Sequence, residues 1–409
     1  MSLESAAETV AGKIRRQEFV EVFAHHDADG IAAGSILCHA MSRAGIRFRL
    51  RVRSEVTAAD ITGDAAYLLC DIGSGIKDLP GTTMVVDHHL PEFEGEFQVN
   101  PRLAGIDGDR ELSAAGTAYF VAQQLGDNRD LAGLVIPGII GDGQEMSGKN
   151  LDIFNEGIAN GIIVPDRGLK LPGRDMIERW YMATNPYLSG ISGDEEIILG
   201  ILDRARDQAR GANETRLDVL LSRIILEASR KTTLAGLTAI YGDTFHLQRE
   251  VIEDAHALTA VIDACGKTGH GDIGATLCLR SSREVETAWE ITRQHHVSII
   301  EAVKSVRKHD GATGVYEVQG SRLASDVADI LARDLPQESP ILVIAQGEGS
   351  CHLSARCPRG TSANLGPVVR ELAAACGGTG GGHVLRAGAT IPCNRIAEFT
   401  KGWQEAVAS

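Results

Sequence analysis

Short apolar runs alternate with helical stretches through the first 190 residues of this 409-residue chain. FVEVFA (19–24) leads into a stretch of helical spacing that closes at Gly45. AYLLC (66–70) and TMVV (83–86) lack apolar–polar alternation, which is typical of parallel strands covered on both faces. Further helical stretches follow these runs. The pattern predicts an α/β domain with a largely parallel sheet.

One segment of this domain alternates strictly. RFRLRVR (47–53) predicts a strand that has Phe48, Leu50 and Val52 on one face and four arginines on the other. The arginines could follow a nucleic-acid backbone, but a solvated strand face is the favoured interpretation.

The remaining chain predicts two further parts. From Asp194 to about Arg230 the pattern is that of two charged helices, and a smaller α/β pattern resumes after residue 310. We therefore expect a first domain over 1–190, a helical connector with an insertion over 191–310, and a second, smaller α/β domain over 311–409.

Composition narrows the class of protein. The chain is 43% apolar and 23% charged, and it has neither a run of about 18 apolar residues nor an apolar signal core near its start. We expect a cytoplasmic protein that does not span a membrane. Its eight cysteines show no CxxC spacing and are expected to be reduced core residues.

The distribution of charge suggests where an anionic ligand would bind. A net charge of −15 argues against a protein that coats nucleic acid through bulk electrostatics. Residues 351–409 nevertheless carry six Lys or Arg and three Glu, a net charge of +3 against −18 for the rest. The C-terminal end is therefore the expected anion-binding region.

Acidic and imidazole groups follow four predicted strand or helix ends in the first domain. The segments are HHDADG (25–30), Asp71, Asp87-His88-His89, and Asp142. One such Asp alone would usually be a helix cap, and one such His a core residue. Several carboxylates at one sheet edge would repel each other, and a pair of divalent cations about 3.5 to 4 Å apart would remove that repulsion. Mixed ligands of this kind suit Mn²⁺, Zn²⁺ or Co²⁺, with Mg²⁺ as an alternative.

A glycine-rich segment, GGTGGG (377–382), lies near the C-terminus. Successive backbone N–H groups of such a segment can form an anion-binding concavity. A flexible linker is the alternative, but His383 and Arg386 follow at once, and Arg356 lies in a comparable SAR segment. We expect phosphate binding here.

These motifs resemble a known family. HxDxDG, an Asp after a strand, DHH and GDG occur in the order found in the DHH phosphoesterase superfamily, and the chain is similar to the archaeal RecJ-like nucleases. GGTGGGHVLRAG (377–388) resembles the signature of the companion DHHA1 domain. The resemblance touches nearly the whole chain and implies a DHH domain followed by a DHHA1 domain.

The resemblance also implies roles for individual residues. Two metals would share a bridging Asp71. The first metal would be held by His25, Asp27 and Asp71, and the second by Asp29, Asp71, His88 and Asp142. His89 would face the substrate, while Asp87 and His26 would support the ligands. The phosphate or nucleotide end would be gripped by Ser354, Arg356, Gly381, Gly382 and His383.

The expected function is that of a two-metal phosphodiesterase, with Mn²⁺ as the favoured cation. By resemblance it is a RecJ-like exonuclease that hydrolyses single-stranded DNA or RNA from an end, in DNA replication or repair. Archaeal relatives associate with a replication complex that includes GINS, which makes such a complex a candidate partner. The alternatives are a nanoRNase-like enzyme for short oligonucleotides and a non-catalytic replication scaffold. The polarity and the choice of DNA or RNA stay open.

Overall fold

The computed structural model describes residues 2–209, 216–309, 312–320, 323–361, 363–382 and 384–407. The chain forms two compact units, one of Met1–Gly168 with Asp243–His295 and the other of Leu169–Gly242 with His296–Ser409. This division distributes the segment 191–310, expected to be a connector, over both units. The chain leaves the first unit along one strand, β6 (Ile163–Leu169), and returns along another, β7 (Tyr241–Leu247).

A five-stranded parallel sheet forms the centre of the first unit. Its strands are β1 (Phe19–His25), β2 (Arg47–Arg53), β3 (Ala66–Cys70), β4 (Met84–Val86) and β5 (Gln98–Val99). The strand order is β2-β1-β3-β4-β5. Because all the strands run the same way, the residues that follow β1, β3 and β4 meet at one edge. The arginine-rich face of β2 is partly neutralised, since Arg49 and Arg51 pair with the buried Glu21 of β1.

Helices surround this sheet. In chain order they are α1 (Leu3–Arg15), α2 (Ala28–Arg43), α3 (Ala114–Leu125), α4 (Ala132–Gly141), α5 (Gly148–Ala159), α10 (Ala255–Lys267) and α11 (Gly271–Cys278). The helix α2 is almost wholly buried and packs against α3, α4, α10 and α11. Helix α12 (Val285–Ser305) begins in the first unit and ends in the second.

The second unit contains a mixed six-stranded sheet. Its strands are β8 (Arg307–Lys308), β9 (Val315–Val318), β10 (Ile341–Gln346), β11 (Ser350–Arg356), β12 (Thr379–Gly382) and β13 (Arg386–Pro392), in the order β12-β13-β11-β10-β9-β8. Its helices are α6 (Met176–Tyr181), α7 (Glu195–Ala209), α8 (Arg216–Ala228), α9 (Leu234–Thr238), α13 (Ala324–Arg333), α14 (Leu365–Ala375) and α15 (Ile396–Val407).

Different helices pack on the two faces of this second sheet. On one face, α14 and α15 bury an apolar core around Leu342, Leu353, Phe399 and Trp403. On the other face, α13 packs against Ile341, Val343 and Ala345 of β10.

The predicted fold class is confirmed: a largely parallel α/β sheet is followed by a smaller α/β sheet. The expectation that all eight cysteines are reduced is wrong for one pair. Cys351 and Cys393 form a disulfide with a Cα–Cα distance of 5.1 Å. The pairing of β11 with β13 sets Cys351 opposite Ile391, two residues before Cys393, and so brings the two sulfurs together. Sequence spacing gave no sign of this, because 42 residues separate the pair.

Within the described part of the chain, no helix is both long enough and apolar enough to cross a bilayer.

Candidate metal centre and anion site

The carboxyl ends of β1 and β3 bring His25, Asp27 and Asp71 together. Asp27 caps α2, since its Oδ1 accepts a hydrogen bond of 2.9 Å from the Gly30 N–H. The His25 Nδ1 lies 2.8 Å from Asp27 Oδ2 and 3.2 Å from Asp71 Oδ2. The three side chains offer ligand atoms within 4.8 Å of one another, which is close enough to share one metal ion.

A second group consists of Asp29, His88 and Asp142. The His88 Nε2 lies 3.2 Å from Asp142 Oδ2 and 3.9 Å from Asp29 Oδ2. Their ligand atoms also lie within 4.8 Å of one another. The structure thus brings together all six residues that the sequence predicted as metal ligands, in two groups.

Asp29 is held in place by two helices. It lies in the first turn of α2, yet its oxygens accept hydrogen bonds from the N–H groups of Ala114 (2.7 Å) and Ala115 (2.8 Å) at the start of α3. A Cβ at Gly138 of α4 would lie 2.1 Å from Asp29 Oδ1. Glycine at 138 therefore leaves the space that this buried carboxylate occupies.

Asp71 lies between the two groups. Its Oδ2 faces His25, while its Oδ1 lies 3.3 Å from His88 Nε2. Its backbone has the left-handed φ of 59°, which is uncommon outside glycine and is often found at functional sites. Oδ1 is buried and has no hydrogen-bond partner among the described residues. A buried oxygen in this state requires a compensating positive charge.

The orientation of His88 is set by its other ring nitrogen. The Nδ1 donates to the Gly108 carbonyl oxygen (2.6 Å), which also accepts a hydrogen bond of 2.9 Å from Gln144 Nε2. Because Nδ1 keeps its proton on the Gly108 carbonyl oxygen, Nε2, which faces the carboxylates, is the ring nitrogen that would bind a metal. Gln144 directly follows the GDG motif, but no role was predicted for it from the sequence.

Asp87 fixes the DHH segment through several hydrogen bonds. It accepts hydrogen bonds from the backbone N–H groups of Ser74, His88 and His89, and from His89 Nδ1 at 2.8 Å. His89 itself is 43% exposed. His89 also forms a candidate metal-binding group with Asp71 and His88.

His26 has a different environment from its neighbours. Its ring packs edge-on against His25, with the ring centroids 4.5 Å apart. Burial lowers the pKa of His26, and its Nδ1 is buried without a hydrogen-bond partner among the described residues. The supporting role expected of His26 stays a prediction, with this ring contact as the observation in its favour.

The cluster has surplus negative charge. Its carboxylates bond to backbone N–H groups and histidines and, within the described part of the chain, to no Lys or Arg. Burial and the neighbouring charge of Asp71 raise the pKa of Asp29 to about 7. Burial and Asp29 likewise raise the pKa of Asp142 well above its usual value.

The histidines respond in the complementary way. Burial alone would lower the pKa of His25 and of His88, but the adjacent carboxylates outweigh it and raise both well above the ordinary value. In the absence of a cation, protons on these groups supply the missing positive charge. The unpartnered Asp71 oxygen and the mixed donor set fit divalent cations.

The second unit places the predicted phosphate-binding residues along adjacent strands. Ser354 and Arg356 lie in β11, both nearly buried, and Gly381 and Gly382 lie in β12. The glycine-rich segment is therefore a strand rather than an isolated loop. The predicted residue His383 lies outside the described residues.

Three comparisons relate the chain to known proteins. The family model for the DHHA1 domain matches residues 312–409. An uncharacterized protein of Methanocaldococcus jannaschii is 26% identical over 437 residues, which cover 99% of this chain and 97% of that protein.

Solved structures share the fold over the whole chain. RecJ from Thermus thermophilus in complex with Mn²⁺ has a TM-score of 0.59 at 17% identity, covering 99% of this chain and 54% of that one. CDC45 from Entamoeba histolytica has a TM-score of 0.63 at 11% identity, covering 100% and 99%. The chain thus spans about half the length of the Thermus protein. At these identities the likeness concerns the fold.

Proposed function

We propose that the chain is a RecJ-like protein of the DHH superfamily and acts as a two-metal phosphodiesterase, a proposal supported by the DHHA1 match at its C-terminal end and by the RecJ-like fold. Its substrate is single-stranded DNA or RNA, which it hydrolyses from an end. The observation that carries this proposal is the position of Asp71, whose two carboxylate oxygens face two different groups of candidate ligands.

Each group of candidate ligands would hold one divalent cation. His25, Asp27 and Asp71 would hold the first, and Asp29, Asp71, His88 and Asp142 the second. When bound, two such ions polarise the phosphoryl oxygens and favour ionisation of the attacking water. Mn²⁺ is the favoured ion, with Mg²⁺ as the alternative, and RecJ structures contain one or the other.

The chain's own residues would position the substrate and move protons. Asp87 holds His89 through Nδ1, so the other ring nitrogen, Nε2, is available at a partly exposed position. Burial alone would lower the pKa of His89, but Asp87 raises it above the ordinary value. His89 can therefore donate a proton to a phosphate oxygen or to the leaving oxygen near neutral pH.

The test is a comparison of substrates in Mn²⁺ or Mg²⁺. A single strand of about thirty nucleotides, labelled at the 5′ or the 3′ end, is incubated beside the dinucleotide pApA. Stepwise shortening of the strand from one labelled end supports an exonuclease and gives its polarity. Cleavage of pApA alone would replace this proposal with a short-oligonucleotide phosphodiesterase. The low aromatic content, 4%, is the observation that favours that second candidate.

A non-catalytic scaffold is the other candidate, and the CDC45-like fold is consistent with it. The complete ligand set argues for catalysis. Absence of any hydrolysis with either metal would favour the scaffold. A role in replication or repair, with a GINS-containing complex as partner, rests on the resemblance and stays a prediction.

A further inference from the structure

The DHH segment (87–89) is held by the stretch of chain that directly follows β5. Residues 100–108 consist of a 3₁₀ helix (Pro101–Ala104), the residue that caps it and the loop after it. The Gly108 carbonyl oxygen in this stretch accepts the hydrogen bond from His88 Nδ1 that orients the imidazole. Two further contacts from residues 100–108 reach the main chain of the DHH segment instead of its side chains.

Arg102 makes the first of these main-chain contacts. Its Nε donates a hydrogen bond of 2.8 Å to the carbonyl oxygen of His88. The same guanidinium forms an ion pair with Asp109, in which Nη2 lies 2.5 Å from Oδ1, and only 18% of the arginine side chain is exposed. A hydrogen bond from a charged donor is stronger than one between neutral groups. The contact therefore fixes the backbone at His88.

Asn100 makes the second contact and also fixes the position of Arg102. Its Nδ2 donates to the His89 carbonyl oxygen at 2.8 Å, and its Oδ1 accepts a hydrogen bond of 3.0 Å from the Arg102 N–H. Asn100 is buried, with 2% of its surface exposed. Arg102 is thus held through its own backbone as well as through its guanidinium.

The packing around the Arg102 contact leaves no space for a side chain at position 108. A Cβ at Gly108 would lie 2.4 Å from the His88 carbonyl oxygen and 2.9 Å from Arg102 Nε. Glycine therefore lets the loop come close enough for both hydrogen bonds, the one from His88 Nδ1 and the one from Arg102 Nε. One stretch of chain thus holds both the backbone and the imidazole of His88.

Arg102 does not pair with the carboxylates of the metal centre. Its side chain donates to a neutral carbonyl oxygen, and its ion-pair partner, Asp109, is not one of the predicted ligands. An arginine paired with the ligand carboxylates would compete with a cation for them. The observed contacts fix a ligand and leave those carboxylates free to bind a metal.

We propose that Arg102 is a positioning residue that holds His88 in the geometry of a ligand for the second metal. The inference rests on the proposed function in taking the cluster as a two-metal centre. It adds a residue that the sequence motifs did not indicate. Because His88 is a candidate ligand of the second metal and not of the first, loss of Arg102 should weaken the second ion alone.

The experiment measures metal binding apart from hydrolysis. Protein stripped with EDTA and returned to chelator-free buffer is titrated with Mn²⁺, and electron paramagnetic resonance distinguishes bound from free ions. We expect the wild type to bind two ions. Arg102→Gln should bind one of them about 10- to 100-fold more weakly, the usual cost of losing a residue that supports a ligand, and the other with unchanged affinity. Arg129→Gln removes an exposed arginine that is also paired with an aspartate, Asp127, and should change neither affinity.

A combination with His88→Gln tests whether Arg102 acts through His88. His88→Gln should weaken the same ion, and adding Arg102→Gln should weaken it no further, because both changes disable the same ligand. Additive losses would show that Arg102 acts elsewhere, and the positioning claim would fail. Equal losses at both ions, or a lower melting temperature with no loss at either ion, would mean that Arg102 is only structural.

Arg102→Lys is a second variant in case Arg102→Gln does not fold. It keeps the charge but replaces the planar donors with a single ammonium group. We therefore expect a smaller loss of affinity that is confined to the same ion. A loss shared by both ions in this variant would overturn the proposal.

Hydrolysis of the labelled strand separates this inference from the proposed function. The activity of Arg102→Gln should recover as Mn²⁺ is raised, with its half-maximal value at a concentration about 10- to 100-fold above that of the wild type. A wild type that binds two ions, one of them dependent on Arg102, but cleaves no substrate would refute the phosphodiesterase and leave the positioning role supported. Hydrolysis by the wild type, together with undiminished binding of both ions by Arg102→Gln, would refute the positioning role alone.

Discussion

The two polar clusters of this protein handle charge in different ways. Around Asp71, buried carboxylates outnumber the positive groups that the chain supplies, and no Lys or Arg of the described residues pairs with them. Around Asp329, one carboxylate is shared by two arginines. The first arrangement holds more acidic than basic groups, whereas the carboxylate of the second has two arginine partners within the chain. We therefore expect the Asp71 cluster to depend on added cations and the Asp329 cluster to depend on its own ion pairs.

The largest expected effect on activity comes from removing the carboxylate of Asp71, which the two groups of candidate ligands share. Asp71→Asn deprives both groups of a ligand, and we expect kcat to fall by at least roughly a thousandfold, since even the loss of a supporting residue costs about 10- to 100-fold. Hydrolysis of the labelled strand in Mn²⁺ measures this. Asp64→Asn, an exposed residue before β3, is the matched control and should retain full activity. Substantial activity in Asp71→Asn would contradict the bridging role.

The second site should depend on a covalent link instead. The disulfide joins β11 to the residue after β13, the two strands that carry Arg356 and Arg386. Cys351→Ser with Cys393→Ser should lower the free energy of unfolding by about 4 kcal/mol, as expected for a cross-link that closes a loop of this size. Denaturant unfolding under non-reducing conditions checks the value. Cys357→Ser, which removes a free thiol, should have a smaller effect. Eight free thiols in the unfolded, unreduced wild type would show that the bond is absent.

Cations should stabilise the first site in a way that depends on pH. Mn²⁺ at a hundred times its dissociation constant adds about 2.7 kcal/mol. In a chelator, the raised pKa values of Asp29 and Asp142 give stability that is present at low pH and lost as pH rises toward 7 and above. The gain on adding Mn²⁺ should therefore be larger at pH 8 than at pH 5. Thermal unfolding at both values measures it, and an equal gain at both would count against the charge-surplus explanation.

Acid should weaken the second site, the reverse of the first. Although burial raises it, the charges of Arg356 and Arg386 lower the pKa of Asp329 to about 2. A lowered pKa gives stability that is complete above about pH 4 and is lost as pH falls toward 2. We expect the difference in unfolding free energy between wild type and Asp329→Asn, up to about 2 kcal/mol from this shift, to shrink over that interval. A difference that stays constant would mean that charge is not what Asp329 contributes.

The sequence allowed the candidate metal ligands to be predicted because they lie in short contiguous motifs. HHDADG and DHH each follow an apolar run, and the parallel order of the strands places them at one edge, so the grouping of the six predicted ligands could be foreseen. Gln144 was missed although it is adjacent to such a motif. The exact contacts of each ligand, such as Asp29 with the start of α3, depend on tertiary packing.

Long-range pairings left no comparable signal. Asp329 lies on an amphipathic helix, 27 residues before Arg356 and 57 before Arg386, and no spacing rule connects them. The Cys351–Cys393 bond was missed for the same reason. The sequence also did not predict that residues 243–295 belong to the first unit, because the pattern of an amphipathic helix does not show which sheet it packs against.

The discontinuous first unit has a consequence for synthesis of the protein. All six predicted metal ligands lie before residue 143, but α10 and α11, which pack on α2, are translated more than a hundred residues later. A nascent or truncated chain that ends at residue 190 would contain every ligand and still expose the apolar surface of α2. That surface can be covered by α10 and α11 only after the chain has been made to residue 278, and expression trials should keep that segment.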